Sequence, residues 1–276
     1  MNIINVNKHV LGISVLLASG QIFAQVDNEM LTQQHDHSFM QPMVKHEPPS
    51  HEISSSEHMN EHGGEIYQSS EFTSKWLNDD TGQGVWQTQL ESRIGTDENK
   101  LFVQLNAEKT ESENTNYDTK FMYSRAMADF WDIQAGIRYI RDTEKMEEKN
   151  QTYTAFGLNG LAPYFFDTDI YMYVGKDQQV FASLETDRDF LITQKLVLKP
   201  YLDAEIVMSD ESKYAKSKGL TSLSLGLETR YEITKNIMPY IDVSYGYEKG
   251  DKQTNWQDES SSEKKWLYGA GIQFNF

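Results

Sequence analysis

Histidine and methionine are concentrated near the N-terminus of this chain of 276 residues. All seven histidines precede residue 63, and residues 65–276 contain none. Imidazole nitrogen suits Cu(II) and thioether sulfur suits Cu(I), so a segment that mixes the two favours copper over zinc or nickel. The candidate ligands are His35, His37, Met40, Met43, His46, His51, His58, Met59 and His62. The pattern therefore predicts binding of copper ions, as Cu(I), Cu(II) or both.

The segment that carries these ligands, residues 25–64, contains proline, glycine and serine but no apolar periodicity. Such a sequence buries too little apolar surface to offset its ordering entropy, so we predict a disordered tail when no metal is bound. Copper binding should weaken as the pH falls, because a protonated imidazole cannot ligate a metal. The alternative is a polar linker that happens to contain histidines, since a His-rich composition is a weak signal by itself.

Residues 1–24 have the features of a secretory signal peptide. Lys8 supplies a positive charge, residues 10–17 form an apolar run, and Ala24 is a small residue suited to cleavage. The apolar run is shorter than the roughly 20 residues that a transmembrane helix needs. The sequence therefore predicts three segments: a signal peptide at 1–24, the tail at 25–64, and a β-domain at 65–276.

Charge and composition exclude several classes of function. The net charge of -17 is unsuited to nucleic acid, which requires a basic surface. The absence of cysteine removes disulfides, zinc-finger spacings and a thiol nucleophile. The β-domain also lacks histidine, the usual general base of hydrolases and acyltransferases. We therefore predict a protein that is not an enzyme.

Alternation of apolar and polar side chains dominates residues 65–276, and a period of two predicts β-strands. In residues 101–108, for example, Leu101, Val103 and Leu105 share one face of the strand. The predicted strands lie at roughly 66–77, 84–95, 100–110, 117–126, 131–140, 152–161, 166–175, 180–190, 196–207, 220–231, 237–248 and 264–276. The final strand alternates aromatic residues up to Phe276, which resembles the C-terminal recognition signal of outer-membrane barrels.

Short joints between these strands alternate with longer, charged ones. The joints near 96–99, 127–130, 162–165, 191–195 and 232–236 are short, whereas those at 141–151, 208–219 and 249–263 are long. Outer-membrane barrels have short periplasmic turns and longer outer loops. We therefore predict an all-β fold, an antiparallel transmembrane β-barrel of about 12 strands, with a soluble β-sandwich as the alternative. Pro200 falls inside a predicted strand and is expected to cause a β-bulge.

The face of the predicted barrel that points inward is rich in carboxylates. The residues that could form a cation path are Glu91, Asp132, Asp167, Asp169, Glu185, Glu228 and Asp242, with Glu108, Asp187, Asp203 and Glu205 on the same face. The expected counterions are Arg93, Arg138 and Arg230. Two interpretations remain open: the charges form a network that fills and rigidifies a narrow lumen, or they line a path for cations.

Several short segments of the β-domain carry a specific pattern. They are 123–126 (YSRA), 130–138 (FWDIQAGIR), 157–166 (GLNGLAPYFF), 191–196 (LITQKL), 225–232 (LGLETRYE), 238–240 (MPY) and 271–276 (GIQFNF). Together they resemble the copper resistance protein B family of outer-membrane proteins. The resemblance implies copper binding, copper tolerance and a location in the cell outer membrane. It also suggests a periplasmic multicopper oxidase or copper carrier as a partner.

Two functions follow from the sequence. In the first, an outer-membrane barrel confers copper tolerance through a periplasmic tail that sequesters copper, with export through the barrel as an extension. In the second, the barrel is a general cation channel or porin and the tail is only a linker. Deletion of residues 25–64 distinguishes them, because a porin should conduct and protect unchanged without its tail.

Overall fold

The computed structural model describes residues 66–111, 114–143, 145 and 147–276. Within these residues the chain forms β-strands and one three-residue 3-10 helix (Pro163–Phe165). The strands are β1 (Tyr67–Asp79), β2 (Gly84–Gly95), β3 (Asn99–Thr110), β4 (Asn116–Ala128), β5 (Trp131–Arg141), β6 (Asn150–Ala162), β7 (Phe166–Val174), β8 (Val180–Asp187), β9 (Phe190–Leu191), β10 (Leu196–Ser209), β11 (Gly219–Tyr231), β12 (Ile237–Glu248) and β13 (Glu263–Asn275). The predicted signal peptide, the predicted tail and all the candidate copper ligands lie outside the described residues. Over the described part of the chain, no helix is long and apolar enough to cross a bilayer.

The strands form one closed antiparallel sheet. Neighbours along the chain pair with each other, and β1 closes the ring by pairing with β13, where Phe72 lies opposite Phe274. The two-residue strand β9 continues the line of β8 beside β10. With β8 and β9 taken as one interrupted strand, the barrel has 12 strands. The predicted antiparallel barrel is confirmed, and the alternative of a two-sheet sandwich is wrong.

The interruption between β8 and β9 lies opposite Pro200 of β10. Pro200 has no N–H to donate, and its carbonyl accepts a hydrogen bond of 3.3 Å from the backbone N–H of Arg188. Arg188 and Asp189, between β8 and β9, belong to no strand. β10 nevertheless pairs with β8 and with β9 in the same register. The predicted bulge at Pro200 is therefore wrong, because the missing donor instead breaks the ladder of the neighbouring strand. The register shifts of β10 lie further along the strand, at Glu205/Ile206 against β11 and at Val207/Ser209 against β8.

The two ends of the barrel differ in the length of their connections. One end, the short-turn end, carries the connections 96–98, 129–130, 163–165, 192–195 and 232–236, together with the start of β1 and the end of β13. The other end, the long-loop end, carries the connections 80–83, 111–115, 142–149, 175–179, 210–218 and 249–262. This arrangement matches the alternation that the sequence predicts.

The outer surface of the barrel is apolar between its two ends. Exposed aliphatic side chains cover the middle of the strands, among them Leu105, Ile137, Ile170, Leu225 and Ile241. Exposed aromatic side chains flank them, with Trp76, Trp86 and Trp266 towards the long-loop end and Phe130, Tyr164, Phe165 and Tyr231 towards the short-turn end. An apolar band between two aromatic girdles is typical of a barrel that spans a membrane.

The hydrophobic core lies inside the barrel and fills one side of it. Its buried members are Phe102, Met122, Tyr153, Ala155, Tyr171, Tyr173, Phe181 and Val207. The Tyr173 ring stacks on Phe181 with 4.8 Å between centroids, and Tyr153 meets Phe181 edge-on at 4.9 Å. We call this cluster the packed side of the interior. It leaves the remaining interior to polar and charged side chains.

Candidate functional site: the charged lumen

A cavity of about 840 Å³ occupies the interior beside the packed side. Ten carboxylates line it: Glu71, Glu91, Glu108, Asp118, Asp167, Asp169, Glu185, Asp187, Asp203 and Glu228. Five cationic side chains accompany them: Lys75, Arg93, Lys120, Arg138 and Lys199. Among the described residues of this lining there is no histidine, methionine or cysteine. The lumen therefore offers oxygen ligands and an excess of negative charge, which attracts cations.

The strand period places charge and aromatic packing on the same inner face. Along β7, Asp167, Asp169, Tyr171 and Tyr173 alternate with side chains that point outward. The first two residues line the cavity, and the last two are buried in the packed side. One short strand thus supplies both halves of the interior, with the carboxylates nearer the short-turn end.

Three carboxylates of neighbouring strands lie directly opposite one another on the cavity wall. Asp169 of β7 is in register with Glu185 of β8, and Glu185 is in register with Asp203 of β10. Asp167 and Asp187 form a second opposed pair beside them. Like charges in opposed positions destabilise a sheet unless cations or donors lie nearby. We call Asp169, Glu185 and Asp203 the carboxylate row.

Lys120 reaches the carboxylate row from across the interior. Its Nζ lies 3.2 Å from Oε1 of Glu185, although β5, β6 and β7 separate their two strands in the barrel wall. The ammonium also lies 5.1 Å from the centre of the Tyr171 ring, a cation–π contact. Lys120 is only 4% exposed, and Asn159 donates a 2.5 Å hydrogen bond to Asp169. The Lys120–Glu185 pair is therefore a strut across the lumen.

Arg138 marks the boundary between the cavity and the packed side. Its Nε and Nη2 donate to both carboxylate oxygens of Asp118, with the shortest contact at 2.7 Å. Its Nη1 lies 3.9 Å from Glu205, and the guanidinium lies 4.6 Å from the centre of the Tyr173 ring. A bidentate Arg–carboxylate pair has a fixed geometry, so this contact holds both sides of the interior in place.

Asp242 is fully buried and does not line the cavity. Its Oδ2 accepts a hydrogen bond of 2.7 Å from Nζ of Lys75, and the Tyr201 hydroxyl donates to both of its oxygens at 3.0 and 3.2 Å. A buried carboxylate is tolerated when it is paired and hydrogen-bonded in this way. The arrangement gives Asp242 a structural role.

Asp132 faces a smaller cavity of about 240 Å³ near the short-turn end. Its Oδ2 accepts hydrogen bonds from Lys100 at 3.0 Å and from the Ser124 hydroxyl at 2.9 Å. The chain of hydrogen bonds continues as Gln134 donates to Ser124 at 3.2 Å and Tyr171 donates to Gln134 at 2.6 Å. Asp132 is thus linked to the packed side through neutral polar groups.

The longest loops contact one another at the long-loop end. Lys213 of the loop 210–218 lies 2.6 Å from Glu147 and 3.6 Å from Glu148 of the loop 142–149. The hydrogen bond to Glu147 raises the pKa of Lys213. Its ammonium also lies 4.6 Å from the centre of the Trp256 ring in the loop 249–262. These contacts join the three loops to one another.

Comparison with known proteins identifies the family. The model of the family described as Copper resistance protein B precursor matches residues 71–276. The chain belongs to the copper resistance protein B family. Copper resistance protein B of Escherichia coli is 28% identical over 198 residues, which cover 71% of this chain and 65% of that protein. A Copper resistance protein B homolog of Pseudomonas syringae pv. tomato is 28% identical over 187 residues, which cover 67% and 62% of the two chains.

The match spans less than two thirds of the length of either relative. Among solved structures, the NanC porin has a TM-score of 0.50 and 12% identity, and covers 74% of this chain and 98% of its own. This likeness supports the porin-like barrel fold. The resemblance drawn from the sequence segments is confirmed.

Most of the carboxylates predicted to form a cation path lie around one cavity of the barrel. Glu91, Asp167, Asp169, Glu185 and Glu228 line the main cavity, whereas Asp132 faces the smaller cavity and Asp242 is buried. Within the described residues, no group of three or more His, Cys, Asp or Glu side chains is arranged to hold a metal ion. Passage of cations along these carboxylates stays a prediction.

The lysines of the lumen were not predicted from the sequence. The predicted counterions were arginines, but Lys75, Lys120 and Lys199 also pair with interior carboxylates. For Lys120 the signal was present, because β4 places it on the same face as Asp118 and the buried Met122. Its partner Glu185 was not readable, since their contact crosses the barrel between strands that are not neighbours.

Proposed function

We propose that this protein confers copper tolerance at the outer membrane, with a periplasmic tail that captures copper and a barrel that anchors the tail. The observation that carries the proposal is the separation of ligand types along the chain. Imidazole and clustered thioether groups precede residue 63, whereas the lumen offers oxygen. Membership of the copper resistance protein B family supports copper as the ion.

The closed barrel and its outer surface support the location. An apolar band between aromatic girdles fits a bilayer, and the family and the porin-like fold both agree with the outer membrane. In this class the short turns face the periplasm. The start of β1 at the short-turn end supports the proposal that the preceding segment lies in the periplasm.

The tail supplies the copper ligands in this proposal. His35, His37, Met40 and Met43 are the densest group, and His46, His51, His58, Met59 and His62 follow. The mixture of nitrogen and sulfur accepts Cu(II) and Cu(I), so sequestration does not require one oxidation state. A periplasmic multicopper oxidase or copper carrier would be a partner for transfer. The family and the histidine-free barrel support a protein that is not an enzyme.

A cation channel is the second candidate function, and the cavity favours it. The lining carries more carboxylates than cationic groups in a cavity of about 840 Å³. In this version the copper phenotype depends on the lumen and the tail is a linker. The two candidates make opposite predictions for the tail.

Replacement of the tail ligands in the full chain tests the proposal. We expect His→Asn and Met→Leu replacements throughout residues 25–64 to abolish the copper tolerance that the wild-type chain gives to copper-sensitive cells, because the donors are lost while the barrel is unchanged. The measurement is growth across a copper series at equal amounts of folded barrel. The matched control replaces the same number of Gln, Ser and Glu residues in the same segment. Full tolerance in the His/Met variant would contradict the proposal and favour the channel.

A further inference from the structure

We infer that the lumen selects hydrated divalent cations by charge, and that Lys120 sets this selectivity by acting as a tethered cation on the carboxylate row. The inference rests on the second candidate function, a path for cations through the lumen, and names the class of ion that the path accepts. It is carried by the strut between Lys120 and Glu185, by the oxygen ligands of the lining, and by buried polar atoms that have no partner.

The cation paired with the carboxylate row does not come from the row's own strands, since Lys199 of β10 pairs with Asp187 instead. Asp169, Glu185 and Asp203 lie on three adjacent strands in opposed positions. The middle member, Glu185, pairs with Lys120 of β4, on the far side of the interior. A protein ammonium thus stands at the centre of the row, in the position that a passing cation would take. Removal of this ammonium leaves the row more negative and the lumen wider.

Gln104 carries an unpaired amide oxygen in the described wall of the cavity. It lies in register between Glu91 of β2 and Lys120 of β4, lines the cavity and is 6% exposed. Its Oε1 has no hydrogen-bond partner among the described residues, and neither does Oδ1 of the neighbouring Asn106. Buried polar atoms are nearly always satisfied. Two carbonyl oxygens beside carboxylates are suited to a cation or to the water molecules of its hydration shell.

The chemistry of the lining defines the class of ion. Carboxylate and amide oxygens suit hard or borderline divalent cations such as Ca²⁺, Mg²⁺ and Cu(II), whereas Cu(I) prefers sulfur. The described lining contains no thioether, so Cu(I) gains nothing there. No group of three or more carboxylates is arranged to chelate an ion within the described residues. Weak binding by several sites allows an ion to leave as well as to enter.

The test is the reversal potential of the full chain in planar lipid bilayers under a CaCl₂ gradient. Ca²⁺ takes oxygen ligands, so the measurement does not depend on the His and Met residues of the tail. Failure of this inference is therefore distinguishable from failure of copper capture. The variants are Lys120→Gln, Glu185→Gln and the double variant, which keeps the net charge of the wild type. Lys109→Gln is the matched control, because Lys109 is an exposed residue opposite Trp86 on the outer face of the barrel.

Lys120→Gln should raise the permeability ratio of Ca²⁺ to Cl⁻ by about threefold or more, since one positive charge leaves a confined acidic site. Glu185→Gln should lower the ratio. The double variant should have a permeability ratio within about twofold of that of the wild type. Its conductance should be higher than that of the wild type, because the ion pair across the lumen is gone. Lys109→Gln should behave as the wild type.

Three results would overturn the inference. They are an unchanged or lower ratio in Lys120→Gln, an unchanged or higher ratio in Glu185→Gln, and no ionic current in either the wild type or the double variant. Folding of each variant is checked by the heat-dependent shift in the migration of the barrel in SDS gels. If Lys120→Gln does not fold, Glu185→Gln and the double variant still decide the matter.

Discussion

The tail and the lumen of this protein offer different ligands to a metal ion. Residues 25–64 combine imidazole and thioether groups, whereas the described lining of the cavity contains carboxylates, amides and cations. Nitrogen and sulfur bind both oxidation states of copper, but oxygen suits only Cu(II). The difference separates capture by the tail, which is the proposed function, from passage through the lumen, which is the second candidate, and the two need not use copper in the same form.

The barrel interior is itself divided. The packed side gathers buried aromatic rings around Arg138, and the charged side gathers carboxylates around a cavity. Aromatic burial stabilises the fold, whereas opposed carboxylates cost stability unless cations compensate them. We therefore expect changes on the packed side to affect the fold and to leave copper capture by the tail intact.

Loss of an aromatic ring from the packed side should have the largest effect on the barrel. Tyr173 is fully buried between Phe181 and Arg138. Tyr173→Ala should lower the free energy of unfolding by about 3–5 kcal/mol, since it leaves a cavity. The measurement is unfolding of the folded barrel by guanidinium in detergent micelles, together with copper binding to the folded fraction.

Tyr173→Phe is the matched control for this prediction. It keeps the ring and removes a hydroxyl that has no hydrogen-bond partner among the described residues. We expect a change within about 0.5 kcal/mol of the wild type. A large loss of stability in Tyr173→Phe, or weaker copper binding in folded Tyr173→Ala, would break the proposed division between the fold and copper capture.

Loss of the buried carboxylate of Asp242 should have a smaller effect. Asp242→Asn removes the charge that pairs with Lys75 at 2.7 Å. Because Lys75 keeps some contact with solvent, we expect a loss of about 2 kcal/mol rather than the full cost of a buried unpaired charge. Guanidinium unfolding again measures it. Tyr201→Phe, which removes one donor to Asp242, should lower the free energy of unfolding by about 1 kcal/mol. Equal losses of stability in Asp242→Asn and Tyr201→Phe would contradict the expectation that the charge contributes more than the hydroxyl.

Local patterns predicted the architecture of the barrel well. Alternation placed nearly all the strands, because one face of each strand must meet lipid and the other the interior. Pro200 shows the limit of local reasoning: the missing donor was visible in the sequence, but its effect falls on Arg188 and Asp189 of another strand. Which strand adapts to a proline depends on pairing, and a single strand does not encode it.

The interior was only partly predictable. The alternation of side chains along β7 predicted that Asp167 and Asp169 lie on the inner face. The same alternation also places Tyr171 and Tyr173 on that face. The prediction for the inner face named only its charged residues, so the packed side was not predicted. The Lys120–Glu185 contact joins strands that are distant along the sheet, and no local pattern encodes such a contact.

Copper binding to the purified full chain tests the central claim most directly. The wild type is compared with a variant that lacks the His and Met residues of 25–64 and with a variant that carries Glu91→Gln, Glu185→Gln and Glu228→Gln in the lumen. Copper is titrated at neutral pH with and without a reductant. We predict that the tail variant loses tight binding under both conditions and that the lumen variant keeps the stoichiometry of the wild type. Tight binding that survives in the tail variant and disappears in the lumen variant would contradict the account.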